Sequence, residues 1–212
     1  GQVGWYNGFR HDLKAISEIV HRKGAYLVVD AIQSAGAMKI DVKREGIDFL
    51  ACGSYKWLLG PPGAGFLFIR EDLVDVLNPP LVGYGSIDPE LAEKNLFEYF
   101  DLYRLQYSKG IDKYEVAHIN DLAYVGAEAS MKLLLEYGME VVEQRIREIG
   151  NYLVNQLVDA GYKLQTPLDE KERHAIVNFR VKDWEKTWKG LAEKGIIVSP
   201  RMGGIRVSPH FY

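Results

Sequence analysis

Apolar residues between Asp12 and Lys23 fall at Leu13, Ile16, Ile19 and Val20, spacings of three and four that predict an amphipathic helix, with Gly24 placed to end it. The next stretch, AYLVVD from Ala25 to Asp30, is a continuous apolar run rich in β-branched residues. It predicts a strand buried on both faces of a parallel sheet and ending on a carboxylate. A turn or short helical segment near Val42 to Gly46 precedes two more predicted strands, DFLACG (48–53) and AGFLFI (64–69). Helical and strand periods in alternation indicate an α/β layer fold. From Arg70 to Ile111 the pattern loosens into NPP, GYGS and scattered aromatics, which reads as loop with short helices. There Tyr99, Phe100, Tyr103 and Tyr107 suit the cover of a core or a subunit interface better than a stacking platform. Two long helices follow, 120–137 and 139–160, the second carrying Val142, Ile146, Ile149, Leu153 and Leu157 on one face. The tail predicts a strand (175–181), a helix (183–194) and short strands near 196–199 and 205–208, a small α+β unit. Dividing the chain at Gly138 gives units of 1–137 and 138–212.

Composition narrows the function. The 212 residues are 47% hydrophobic and 26% charged, enough for one large or two small domains, and the formal charge is −3 with a pI near 6.0. This balance supplies no basic stripe for phosphate backbones, so the expected partners are small molecules or proteins rather than nucleic acid. A single cysteine, Cys52, leaves no disulfide framework and no thiolate cluster for zinc, and the five histidines show no metal-binding spacing. With no apolar run of roughly 18 residues, no membrane span is expected and a cytoplasmic location is the natural reading. The chain opens at Gly1 within a strand-like stretch and stops at SPHFY, which reads as a piece of a longer polypeptide.

The chemistry concentrates in CGSYKWLLGPPGAGF, residues 52–66. Lys56 has no carboxylate in its own stretch, yet it follows one strand end while Asp30 closes another, where ligands of open parallel sheets bind. Singly, these are a surface lysine and a capping aspartate. Together they suggest a lysine in a partly dry pocket, its amine available to attack a carbonyl. Pyridoxal phosphate is the aldehyde cofactor that uses such an amine, and its pyridine nitrogen needs a carboxylate such as Asp30. In PPGAG the prolines fix the backbone, and Gly60, Gly63 and Gly65 allow positive φ or close approach. It is no Walker loop, because the lysine lies upstream of the glycines.

VVDAIQSAG followed by GSYKWLLGPPGAGFL resembles the class V aminotransferases of the fold-type I pyridoxal phosphate enzymes, a branch that includes cysteine desulfurases, kynureninases and isopenicillin N epimerase-like proteins. NGFRHDL and GIRVSPHFY extend the resemblance over nearly the whole chain. It implies that residues 1–137 are the C-terminal part of a cofactor-binding large domain with a mostly parallel sheet, and that 138–212 hold a connecting helix and a small domain. It also implies that Lys56 forms the Schiff base and shuttles the Cα proton, that Asp30 pairs with the pyridine nitrogen, and that Gln33 bonds the phenolic oxygen. Tyr55 would donate to the phosphate; Ser54 either helps or simply satisfies its own turn. Arg206, alternating with Ile205 and Val207 on a strand, would clamp a substrate α-carboxylate, with Arg201 a weaker candidate and His210 structural. The resemblance further implies a homodimer with the cofactor near the interface.

Two departures stand out. Relatives carry Gly-Thr where this chain has Ala117 and His118 in KYEVAHIN (113–120), and there the Gly-Thr reaches the phosphate of the other subunit. The phosphate loop and the aromatic that stacks on the pyridine ring come from upstream of Gly1, so residues 1–212 alone are expected to bind the cofactor weakly and to be inactive. Cys52 lies in a predicted buried strand, the wrong place for a desulfurase thiolate. An amino-acid aminotransferase-like activity is the favoured reading. The alternatives are a carbon–sulfur lyase, an epimerase or kynureninase-like enzyme, or a non-catalytic protein on the same fold.

Overall fold

Short polar side chains set the helix starts. Asp12, Asn120 and Asp183 each accept a hydrogen bond from the backbone N–H three residues on, at Ala15, Ala123 and Lys186, satisfying a donor that the first helical turn leaves open, at a gain of about 1 kcal/mol each. Among the described residues the α-helices are α1 (Leu13–Arg22), α2 (Asp121–Tyr137), α3 (Met139–Asp159) and α4 (Trp184–Glu193), and α3 follows α2 directly across Gly138. The computed structural model describes residues 1–90 and 106–212, so Tyr99, Phe100 and Tyr103 lie outside the described residues. Tyr107 forms an isolated antiparallel bridge to Ile87.

The first sheet contains β1 (Val28–Asp30), β2 (Phe49–Gly53) and β3 (Gly65–Ile69) in that order. β1 runs parallel to β2, with Asp30 beside Ala51, whereas β3 returns antiparallel with Gly65 beside Gly53. The expectation that the Ala25–Asp30 run is buried on both faces needs correction. Val29 is 2% exposed, but Val28 is 69% exposed and Asp30 is open too. Successive side chains point to opposite faces, and the core packs against only one: Val29, Leu50 and Cys52 join Leu13, Ile47, Trp57, Leu134, Val142 and Ile146.

Asp48 pins this sheet to its surroundings. Fully buried at the start of β2, its carboxylate accepts the Leu27 N–H at 2.6 Å, meets His21 of α1 at 2.8 Å, and pairs with Arg70 just beyond β3. A buried carboxylate is tolerable because every partner is a donor or a cation.

The second sheet is antiparallel, in the order β4 (Lys163–Leu164), β5 (Val177–Arg180), β7 (Gly204–Val207), β6 (Ser199–Arg201). Met202 and Gly203 turn β6 into β7 at φ of 51° and 72°, the paired positive angles of a tight hairpin. That turn puts Arg201 beside Gly204 and moves β6 past the expected Ile196–Ser199, leaving Ile197 96% exposed. α3 serves two cores, Val142 and Ile146 reaching the first, Val154 and Leu157 joining Val177, Phe179 and Ile205 in the second. Among the described residues no helix is long and apolar enough to cross a membrane.

Candidate active site

The parallel strands β1 and β2 end side by side, and each continues into a tight turn. After β1, Asp30 folds its own Oδ1 onto the Ile32 N–H at 2.9 Å, and the N–H groups of Ser34 and Ala35 both bond the Ala31 carbonyl at 2.9 Å. This winding carries Gln33 back over the strand end. After β2, Ser54, Tyr55, Lys56 and Trp57 run alongside it. The two turns touch through Gly36, where φ is 88° and an added Cβ would stand 2.2 Å from the Trp57 carbonyl oxygen. Only glycine combines that angle with that approach.

A cleft of about 410 Å³ opens where the turns meet, lined by Val3, Trp5, His11, Asp30, Gln33 and Lys56 among others. Three of the residues expected to carry chemistry, Asp30, Gln33 and Lys56, therefore share one cavity. Lys56 is exposed, so these residues do not themselves supply the partly dry pocket expected for it; its ammonium has no ion pair among the described residues and stands 5.9 Å from the centre of the Tyr55 ring. Asp30 presents a second oxygen without a partner in the described set, and Gln33 takes the Trp57 indole N–H on its Oε1 at 2.9 Å.

The other expected site residues lie around this cavity rather than in it. Tyr55 is 54% exposed, its hydroxyl without a hydrogen bond to the described residues. Of the two roles open to Ser54, the geometry favours the turn. It is 2% exposed, and its hydroxyl faces the Pro61 and Ala64 carbonyls at 2.6 and 3.1 Å, where its one proton is used. Arg206 donates to the Trp5 carbonyl at 2.7 Å and reaches Ser199 Oγ at 3.4 Å, while its Nε is buried without a partner. Burial, reinforced by the charge of Arg201, holds its pKa below the usual arginine value. Since Trp5 lines the cleft, the guanidinium stands just behind the cleft wall.

The loop that follows is pressed against α2. Gly63 takes φ of 97°, and a Cβ there would come 2.7 Å from Asn120 Nδ2. The Cys52 thiol is buried, and burial, with a further push from the Asp30 charge, raises its pKa to about 11 against a smaller opposing effect of Lys56. Trp57, Trp5 and His11 escaped the sequence reading. The clue available for Trp57 was its position next to the lysine; for the other two it was the NGFRHDL stretch, whose chain path only the fold reveals.

A crevice at the ends of parallel strands, holding an amine, a carboxylate and an amide, is where small organic ligands bind in α/β folds. A family model for class-V aminotransferases matches residues 2–210, and the chain belongs to that family. Over 210 residues it is 32% identical to the uncharacterized aminotransferase YcbU of Bacillus subtilis (strain 168), covering 99% of this chain and 53% of the relative. It superposes on the apo structure of a cysteine desulfurase from Thermococcus onnurineus NA1 with a TM-score of 0.88 at 26% identity, covering all of this chain and 54% of that one. The same fold is seen, at 24% identity and a TM-score of 0.83, in a C-DES mutant with glycine covalently linked to its PLP cofactor, covering 99% of this chain and 55% of that one. The α/β layer with its small C-terminal unit is thus the fold of the PLP-dependent transferases, and the chain spans about half the length of the relatives it matches.

Proposed function

We propose that residues 1–212 are part of a pyridoxal phosphate-dependent enzyme that acts on an amino acid, with an aminotransferase-like reaction. The observation that carries this reading is the convergence of Lys56, Asp30 and Gln33 on one cleft at the ends of parallel strands. The three groups fit the cofactor chemically: an unpaired amine for its aldehyde, a carboxylate oxygen for its protonated ring nitrogen, and an amide donor for its phenolic oxygen. When bound, the cofactor supplies an electron sink for charge developing at the substrate Cα.

In this assignment Lys56 holds the cofactor covalently and moves the Cα proton on its Nζ. Asp30, anchored by the Ile32 N–H, keeps the ring nitrogen protonated. Tyr55 has a free hydroxyl to offer the phosphate. Arg206, with its orphaned Nε and its place behind Trp5, is the candidate clamp for the substrate carboxylate. Residues 1–137 form the cofactor-binding portion and 138–212 the connecting helix and small domain. The whole protein is proposed to be a cytoplasmic homodimer, with His118 in place of the family's phosphate-binding threonine.

A second reading, carbon–sulfur lyase or desulfurase-like chemistry, is favoured by the likeness to a cysteine desulfurase structure. The buried, high-pKa Cys52 counts against a desulfurase thiolate at that position. Titrating amino acids, cysteine and cystine included, into the full-length holoprotein while following the cofactor spectrum and identifying products tests both. An amino acid that exchanges its amino group with a keto acid supports the first reading, sulfur release supports the second, and a spectrum unmoved by every amino acid overturns both.

A further inference from the structure

We infer that Trp57 is a positioning residue, whose indole N–H fixes the Gln33 amide with its Nε2 end toward the cleft; this rests on the pyridoxal phosphate reading above. A glutamine amide presents an acceptor at one end and two donors at the other, and nothing in the side chain itself chooses between them. The Trp57 indole chooses. It can only donate, it lies 2.9 Å from Gln33 Oε1, and the two side chains belong to residues only 5% and 7% exposed. Turning the amide over would set its N–H groups against the indole N–H between two buried residues, an arrangement that strands donors. With Oε1 occupied, Nε2 is left as a donor that is not among the orphaned buried atoms and so is reached from the cleft that Gln33 shares with Asp30 and Lys56. Such a donor suits an anionic oxygen and repels a cation.

Trp57 is held for this task from the far end of the chain. His210 stacks on its indole with ring centres 5.1 Å apart and planes 27° from parallel, and donates from Nε2 to the Trp57 carbonyl at 3.2 Å. The tautomer is set by the Phe211 N–H, which bonds His210 Nδ1 at 2.9 Å and leaves the proton on Nε2. On the other side, Gly36 permits the close backbone contact described above. His210, Trp57 and Gln33 thus join the segment after β7 to the cleft wall.

The test uses full-length protein stripped of cofactor, with Trp57→Phe, Gln33→Ala and the double variant, and measures pyridoxal phosphate affinity by absorbance and the pH midpoint of the bound cofactor's visible band. Trp57→Phe is expected to weaken binding roughly tenfold, the scale of one hydrogen bond to a charged group, and to move the pH midpoint in the same direction as Gln33→Ala. In the Gln33→Ala background Trp57→Phe should add nothing. An unchanged affinity in Trp57→Phe, or a loss that multiplies in the double variant, overturns the inference. Failure of the parent protein to bind the cofactor at all overturns the functional reading as well, and shows itself before any substitution. If Trp57→Phe does not fold, hydrogen exchange of the Trp57 indole N–H decides: at least tenfold faster in Gln33→Ala than in the parent is expected, and equal rates overturn the assignment.

Discussion

Cys52 and Lys56 are near neighbours in sequence with opposite characters in the structure. The thiol is buried and raised to about 11, so at neutral pH roughly one molecule in ten thousand carries a thiolate, whereas the amine is exposed beside the cleft. Under the proposed function, Cys52→Ala in the full-length protein is therefore expected to leave turnover within about twofold of the parent, and iodoacetamide at pH 7 should not label Cys52. Loss of most activity on that substitution would show that the thiol takes part. That Lys56 and Asp30 would stand at neighbouring strand ends could be read from the sequence, because such residues close the two apolar runs; that Gln33 shares their cleft is what the fold adds. Ser54 was half legible: its side chain had a phosphate and its own turn to choose from, and only the fold shows the Pro61 and Ala64 carbonyls within its reach. The Trp57 hydrogen bond could not be read at all, since a donor-only side chain takes its meaning from whichever acceptor the fold brings to it.

At the scale of elements, the two turns at the ends of β1 and β2 must nest before a cleft exists. Gly36→Ala would force a side chain both into a left-handed angle and against the Trp57 carbonyl, and is expected to cost about 2 kcal/mol or more. Thermal unfolding should register this as a clear drop in Tm; an unchanged Tm would mean that the nesting is looser than described. Helix limits were read closely because Asp12, Asn120 and Asp183 mark them chemically. Strand limits were not. β4 is two residues long and has no period to detect, β6 is placed by the Met202–Gly203 turn rather than by its own apolar residues, and the AYLVVD run is packed on one face only. For these segments the pairing partner, and not the local pattern, decides.

Across the whole molecule, α3 ties the two cores together, and His174 is buried among the residues between them. Burial, helped by the positive charges of Arg10 and Arg147, lowers its pKa from 6.5 to about 3, and neither ring nitrogen has a hydrogen bond. Below pH 6.5 the unfolded chain takes up a proton that the folded chain refuses until near pH 3, so His174 lowers stability progressively as pH falls through that window, by up to about 1.4 kcal/mol per pH unit. Urea unfolding at pH 7 and pH 5 should show a smaller acid loss in His174→Gln than in the parent, and equal losses would assign the acid sensitivity elsewhere. The division into an α/β layer and a small C-terminal unit followed from periodicity, but the sharing of α3 between their cores did not, because a helix face shows that it is covered and not by what. The central claim, that Lys56 is the residue that holds pyridoxal phosphate, is tested most directly by borohydride reduction of the full-length holoprotein followed by peptide mass mapping. A pyridoxyl group on the peptide containing Lys56, lost in Lys56→Ala, is the result predicted; a label on a different lysine, or none, would contradict it.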